Sequence, residues 1–299
     1  MKKIAVIDLG TNTFNLLIAV VEEHSFRTLF HTKIGVALGM GGINEKRITN
    51  ESMERAIQAL ESFKLKCDEF RVDEIRAFGT SAIRDAKNKK QFCQAVKEKI
   101  DIQIQIISGL QEAQLIYNGV KWSYDFYKPA IIMDIGGGST EFILANKNGV
   151  QNALSLNIGV SRMYQQLQLN DPLSKDDIIT IENWLEQNSE GKLDNLNCKI
   201  LIGSSGTFET LHEVYFKQKF PNSNECTPMS INELKEVLEN IINSTLEERK
   251  QNAFIIPIRQ IMIPIAAVKI NWIIKKFGIE ELLISPYSLK EGALNQLSQ

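Results

Sequence analysis

Residues 130–144 read Ala130-Ile-Ile-Met-Asp134-Ile-Gly136-Gly137-Gly138-Ser139-Thr140-Glu141-Phe-Ile-Leu144. An apolar run ends in Asp134, a tight turn of glycines and hydroxyl residues follows, and a second apolar run leaves it. That order predicts a strand–turn–strand unit. Residues 4–21 repeat it as Ile4-Ala-Val-Ile-Asp8-Leu-Gly10-Thr11-Asn12-Thr13-Phe-Asn-Leu-Leu-Ile-Ala-Val-Val21. Each unit is followed by a further strand predicted to end in Ile-Gly-Val, at 34–36 and 158–160. The spacings nearly agree: 27 positions separate Asp8 from Gly35, and 25 separate Asp134 from Gly159. Turn, flanking strands and downstream tripeptide match together, which identifies an internal duplication.

The chemistry of the repeated turn is anion binding. Glycines let backbone N–H groups approach a ligand closely, and hydroxyls add donors. Two such turns facing each other across a cleft would hold a phosphate chain from both sides. The candidate binders are Asp8, Gly10, Thr11, Asn12 and Thr13 in the first loop, and Gly136, Gly137, Gly138, Ser139 and Thr140 in the second. A third segment, Gly203-Ser-Ser205-Gly206-Thr207, sits at a predicted strand-to-helix junction, where free backbone N–H groups also favour anions.

At 299 residues the chain is long for one core, so two domains are expected, 1–124 and 125–299. A net charge of -2 excludes nucleic-acid binding by bulk electrostatics. A polyanionic substrate would have to be held locally, by amides, a few Arg or Lys, or a metal ion. The four cysteines, Cys67, Cys93, Cys198 and Cys226, form no metal-ligand spacing and suit a reducing, cytoplasmic setting. The richest apolar stretch, 254–274, is interrupted by Pro257, Arg259, Pro264 and Lys269 and reads as a buried helix, not a membrane span. Residues 4–7 follow Met1-Lys2-Lys3 too closely and too briefly for a signal peptide.

Between the repeats the pattern alternates. Helices are expected at 51–65, 89–100, 174–187, 207–216, 230–242 and 258–277, with strands at 74–78, 102–107, 199–202 and 281–284. Ser108 with Gln111, Ser174 with Asp177 and Ser230 with Glu233 have the spacing of capping boxes. His24, His31 and His212 show no partner pattern and read as surface or edge residues. Trp122, Trp184 and Trp272 read as packing residues. No P-loop and no nucleophile elbow occurs.

In order along the chain, several segments resemble the exopolyphosphatase/guanosine-pentaphosphate phosphatase (Ppx/GppA) family of the sugar kinase, Hsp70 and actin superfamily. They are Asp8-Leu-Gly-Thr-Asn-Thr-Phe-Asn15, Gly79-Thr-Ser-Ala-Ile-Arg84-Asp-Ala-Lys-Asn88, Ile107-Ser-Gly-Leu-Gln-Glu112-Ala-Gln-Leu-Ile-Tyr-Asn-Gly-Val120, Asp134-Ile-Gly-Gly-Gly-Ser-Thr-Glu141, Ser155-Leu-Asn-Ile-Gly-Val-Ser-Arg162, Gly203-Ser-Ser-Gly-Thr207 and the closing Leu289-Lys-Glu-Gly292. The resemblance covers nearly the whole chain and matches the short, two-domain form. It implies an α/β fold of two duplicated actin-like (ribonuclease H-like) domains, mixed sheets flanked by helices, and an active site in the cleft between them. Two positions depart from the family pattern. Gln111 stands where many relatives carry a second acid, and Ile261 stands where an acid usually follows Arg259.

By position alone Glu112 would sooner serve a helix end; the resemblance reverses that and makes it the general base. Arg84 would neutralise phosphate charge, or else belong to the basic run with Lys87, Lys89 and Lys90. Asp134 and Glu141 beside a phosphate loop would repel substrate unless a hard cation lay between, so magnesium, Mg2+, or another divalent cation is expected on them. Asp8 would organise the first loop, or bond only its own turn. The implied activity is release of the terminal phosphate of inorganic polyphosphate. One alternative is hydrolysis of guanosine pentaphosphate, and another, of a different class, is a catalytically weak sensor of guanosine polyphosphates. The intact Glu112, Asp134 and Glu141 weigh against a sensor, and a sugar-kinase-like transferase fits the 80–88 and 108–120 segments less well. Homodimerisation follows from family analogy alone.

Overall fold

The computed structural model describes residues 2–22 and 25–295; His24 lies outside them. The first half builds a sheet from β1 (Lys2–Leu9), β2 (Thr13–Glu22), β3 (Ser25–Gly35), β4 (Glu74–Gly79) and β5 (Ile104–Ile106), in the order β3-β2-β1-β4-β5. Its helices are α1 (Asn50–Glu69), α2 (Ser81–Asp85), α3 (Lys89–Ile100) and α4 (Gly109–Val120). The second half builds a sheet from β6 (Ala130–Ile135), β7 (Thr140–Asn146), β8 (Gly149–Leu156), β9 (Ile200–Ser204), β10 (Thr227–Met229) and β11 (Glu281–Ile284), in the order β10-β11-β9-β6-β7-β8. Its helices are α5 (Val160–Gln166), α6 (Lys175–Ser189), α7 (Gly206–Phe216), α8 (Ile231–Asn243), α9 (Leu246–Gln251), α10 (Pro257–Gln260), α11 (Ile263–Phe277) and α12 (Leu289–Asn295).

The duplication is visible in the pairing. β1 runs antiparallel to β2 and parallel to β4, and β6 runs antiparallel to β7 and parallel to β9. The second sheet therefore repeats the first strand for strand, with β10 added at its edge. Central strands buried on both faces have to be apolar throughout, which is why 4–7 and 130–133 read as unbroken runs. In β1, Ala5 and Ile7 face the core under α1 and α3, whereas Ile4 and Val6 face a core shared between the halves, with Ile132, Ile143 and Ile202. Burying each such side chain contributes on the order of 2 kcal/mol.

The same shared core holds α4 and α12, the equivalent helices of the two copies, packed against each other. Each opens on a serine whose backbone N–H donates to the side chain three residues on, Ser108 to Gln111 Oε1 and Ser288 to Glu291 Oε2, both at 2.8 Å. Gln111 is thus a capping residue. Their close approach depends on glycine: a Cβ at Gly292 would run into the backbone of Leu115 and Gly119.

Three sequence expectations need correction. The helix expected at 258–277 is broken, because Pro264 offers no N–H to a preceding turn and instead sits in the first turn of α11. The second Ile-Gly-Val does not end a strand; β8 stops at Leu156 and Gly159 is the N-cap of α5. His212 is not at the surface. It is 3% exposed, packed against Phe216 and Phe220, with Nδ1 unpaired and its pKa lowered by burial. His31 lies exposed on edge strand β3, and Trp184 and Trp272 are buried packing residues. Among the described residues, no helix is long and apolar enough to cross a membrane.

Candidate active site

The two glycine turns meet at one cleft of about 1120 Å3 between the halves. Gly10, Thr11, Asn12 and Thr13 line one wall, and Gly136, Gly137, Gly138 and Ser139 line the other. The loops touch. Ser161 Oγ donates to Asn12 Oδ1 at 2.6 Å, and a Cβ at Gly137 would lie 2.8 Å from the Asn12 side chain. A Cβ at Gly138 would meet Ser81 Oγ and Thr11 Oγ1, so only glycine lets the walls come this close. Thr140 is the exception among the loop residues. It is buried outside the lining, and its Oγ1 accepts a 2.8 Å hydrogen bond from the fully buried Lys269 Nζ.

The carboxylates converge from four elements. Asp8 is the next-to-last residue of β1 and accepts from Asn15 Nδ2 at 3.0 Å. Asp134 is next to last in β6, and Glu141, second in β7, is its cross-strand partner. Ser155 Oγ donates to Glu141 Oε1 at 2.7 Å. Glu112 comes from the first turn of α4, where Arg84 Nη1 donates to its Oε2 at 2.7 Å. Glu112 and Glu141 are buried, while Asp8 and Asp134 are half-buried at the cleft wall. Arg84 reaches the cleft through Glu112 and does not line it.

Burial dominates their electrostatics. Desolvation pushes Asp134 up to about 7, with Glu112 and Asp8 adding repulsion and a Ser205 hydrogen bond pulling back. Desolvation and then Asp134 push Glu141 up to about 7. Asp8 is pushed up to about 6 by desolvation, with Asn15 and Lys290 opposing. Glu112 is held well above the usual carboxylate range by desolvation and Glu141, against which Arg84 favours the anion. A cleft with four such groups calls for protons or a cation.

Among the described residues, no three His, Cys, Asp or Glu side chains are grouped closely enough to cage a metal. Magnesium fits this donor set in another way, because it is commonly held by one or two carboxylates together with phosphate oxygens and water. Asp134 and Glu141, adjacent across β6 and β7, are the pair that would supply them.

Ser205, Gly206 and Thr207 also line the cleft, at the start of α7. Ser205 has φ of 71°, and the Arg259 guanidinium lies against Gly206, filling the space a Cβ would need. Sequence reasoning missed Asn15, Lys33, Lys290 and Glu291, all in the lining. The signal for the last two was present in the closing Leu289-Lys-Glu-Gly292 segment, which packs beside β1 and α4.

Two actin-like halves with paired glycine turns and a carboxylate-rich cleft match a class of phosphate-handling proteins. Within that class the chain belongs to the Ppx/GppA phosphatase family, whose sequence model matches residues 17–299. It is 34% identical to the exopolyphosphatase of Cytophaga hutchinsonii, whose crystal structure superposes with a TM-score of 0.95 over 99% of this chain and 98% of that one. It is 33% identical to a bifunctional 3-dehydroquinate synthase/phosphatase of Fusobacterium nucleatum, over 97% of this chain and 46% of that protein. It is 27% identical to a guanosine-5'-triphosphate,3'-diphosphate pyrophosphatase of Aeromonas hydrophila, over 97% of this chain and 58% of that one. The chain thus spans about half the length of the curated relatives it matches.

Proposed function

We propose that the protein is a metal-dependent phosphoanhydride hydrolase that releases the terminal phosphate of inorganic polyphosphate. The observation that carries the polyphosphate reading is the likeness to the Cytophaga hutchinsonii exopolyphosphatase, which extends over both chains almost entirely. The guanosine pentaphosphate reading is favoured by a different feature. Beyond the phosphate loops the cleft is lined by Phe26, Tyr287, Asn222 and Asn224, groups able to stack on and hydrogen-bond a base.

In this reading the backbone N–H groups of both glycine loops bind the terminal phosphate, with the Thr11, Thr13 and Ser139 hydroxyls beside them. The Glu112 carboxylate accepts a proton from the attacking water. Arg84 aims that carboxylate and favours its ionised form, and its positive charge behind Glu112 helps to offset the negative charge of the cleft. Asp134 and Glu141 would hold magnesium, which supplies charge neutralisation for the phosphate oxygens. Asp8, tied to Asn15, fixes the first loop. The partition into units 1–124 and 125–299 belongs to the same proposal, supported by one sheet in each. A cytoplasmic location is supported by four free cysteines.

The test is phosphate release with magnesium from polyphosphates of several lengths and from guanosine pentaphosphate, comparing wild type with Glu112→Ala. Release from polyphosphate that drops by about 10²–10⁴-fold in the variant is the expected result. Release from the nucleotide alone would move the assignment to the second reading. No release from either by folded wild type would leave the sensor.

A further inference from the structure

The duplication exposes one residue that packing does not explain. Counting from the shared Ile-Gly-Val, the first copy continues through Ala37 to Leu38 and the second through Ser161 to Arg162. Leu38 is wholly buried in an apolar core, and Arg162, at the equivalent place, is 7% exposed. A buried guanidinium costs desolvation that leucine avoids, so Arg162 contributes something other than burial.

Its contacts show where that contribution goes. Arg162 Nε donates to the Gly138 carbonyl of the second loop at 2.7 Å. Nη1 donates to the Ile43 carbonyl at 3.3 Å, Nη2 reaches Ser81 Oγ at 3.5 Å, and Nη2 also pairs with Asp85. Asp85 in turn lies 3.9 Å from Arg84 Nε, and Arg84 Nη1 binds Glu112. The result is an alternating chain of charges from the second phosphate loop to the carboxylate of α4: Arg162, Asp85, Arg84, Glu112. Without Asp85 the two guanidiniums would repel each other, and Arg84 would lose its anchor on the side away from Glu112. The chain also crosses between the halves, since Arg162 belongs to α5 and Asp85 to α2.

We infer that Arg162 and Asp85 are positioning residues that set the Arg84–Glu112 pair against the second phosphate loop. The inference rests on the proposed roles of Arg84 and Glu112. Neither Arg162 nor Asp85 touches substrate; both act through Arg84.

The experiment is a double-mutant cycle on the full chain, reading kcat and KM for phosphate release from polyphosphate with magnesium. Asp85→Asn and Arg162→Lys are each made alone and in an Arg84→Ala background, with thermal unfolding recorded for all. The expected result is that Asp85→Asn lowers kcat about tenfold with KM within about threefold, and that the same change in the Arg84→Ala background costs less than about twofold. A structural role alone would lower activity equally in both backgrounds, and that outcome overturns the inference, as does an unchanged kcat in the single variant. If Asp85→Asn unfolds, Arg162→Lys, which keeps the cation and shortens its hydrogen-bonding reach, is read against the same criterion. Wild type that releases nothing overturns the catalytic reading, and this inference with it. Wild-type release that is lost in Glu112→Ala but shows additive cycles overturns this inference alone.

Discussion

Asp134 and Glu141 face each other across β6 and β7, whereas the same two places in the first copy hold Asp8 and Asn15. One half pairs a carboxylate with its amide hydrogen-bond partner. The other sets two carboxylates side by side, each pushed up to about 7. The helices diverge similarly, with Glu112 in α4 answered by Gly292 in α12. The two copies therefore place different side chains at equivalent positions of the cleft.

Glu141→Gln would rebuild the first copy's arrangement in the second. Removing one of two adjacent buried acids is expected to raise the melting temperature in the absence of divalent cations by roughly 3 °C, as about 1 kcal/mol does in a chain of this size. Phosphate release should fall by at least about 100-fold. A variant that melts lower than wild type in chelator would contradict the electrostatic account.

Stability should also depend on pH in a stated direction. Folding raises the proton affinity of Asp8, Asp134 and Glu141, so their protonated forms favour the folded state. That contribution is present below the ordinary carboxylate range and is lost as pH rises through about 6 to 7. In chelator, their share of stability therefore declines between pH 5 and 8, and magnesium should raise the melting temperature more at pH 8 than at pH 5. Scanning fluorimetry at the two values decides it.

Arg84→Ala removes the charge that favours ionised Glu112. The acidic limb of the pH–kcat profile should move to higher pH, and Arg84→Lys should restore part of the shift. An unmoved limb with merely lower activity would place Arg84 on the substrate instead of on the base.

Lys269→Met would leave Thr140 Oγ1 and the Ile158 carbonyl without the donor they share. Losing hydrogen bonds to two buried acceptors is expected to cost about 1–3 kcal/mol, measured by denaturant titration. Because those acceptors sit beneath the second loop, KM for polyphosphate should rise as well.

Much of this was legible locally. The strands 4–7 and 130–133, both glycine turns and the Ser108, Ser174 and Ser230 caps depend on neighbours a few positions away, and periodicity reads such neighbours well. Lys269 illustrates what was not. In sequence it only interrupts an apolar stretch, because Thr140 lies 129 positions distant. Arg162 and Asp85 are 77 positions apart and likewise meet only in the fold. Thr140 looked like its loop neighbours and was drawn away by that distant lysine. The break before α11 was signalled by Pro264 but outweighed by the apolar run around it.

The packing of α12 on α4 also bears on how the protein is made. Asp8 and Glu112 leave the ribosome early, yet the helix that covers the apolar side of α4 and brings the Lys290 charge near Asp8 is translated more than 170 residues after Glu112. Until then Leu115, Ile116 and Val120 lack the Leu289, Ala293 and Leu294 they pack with. A growing chain therefore exposes that apolar surface until α12 has been made. It cannot present a finished cleft until translation has passed α12.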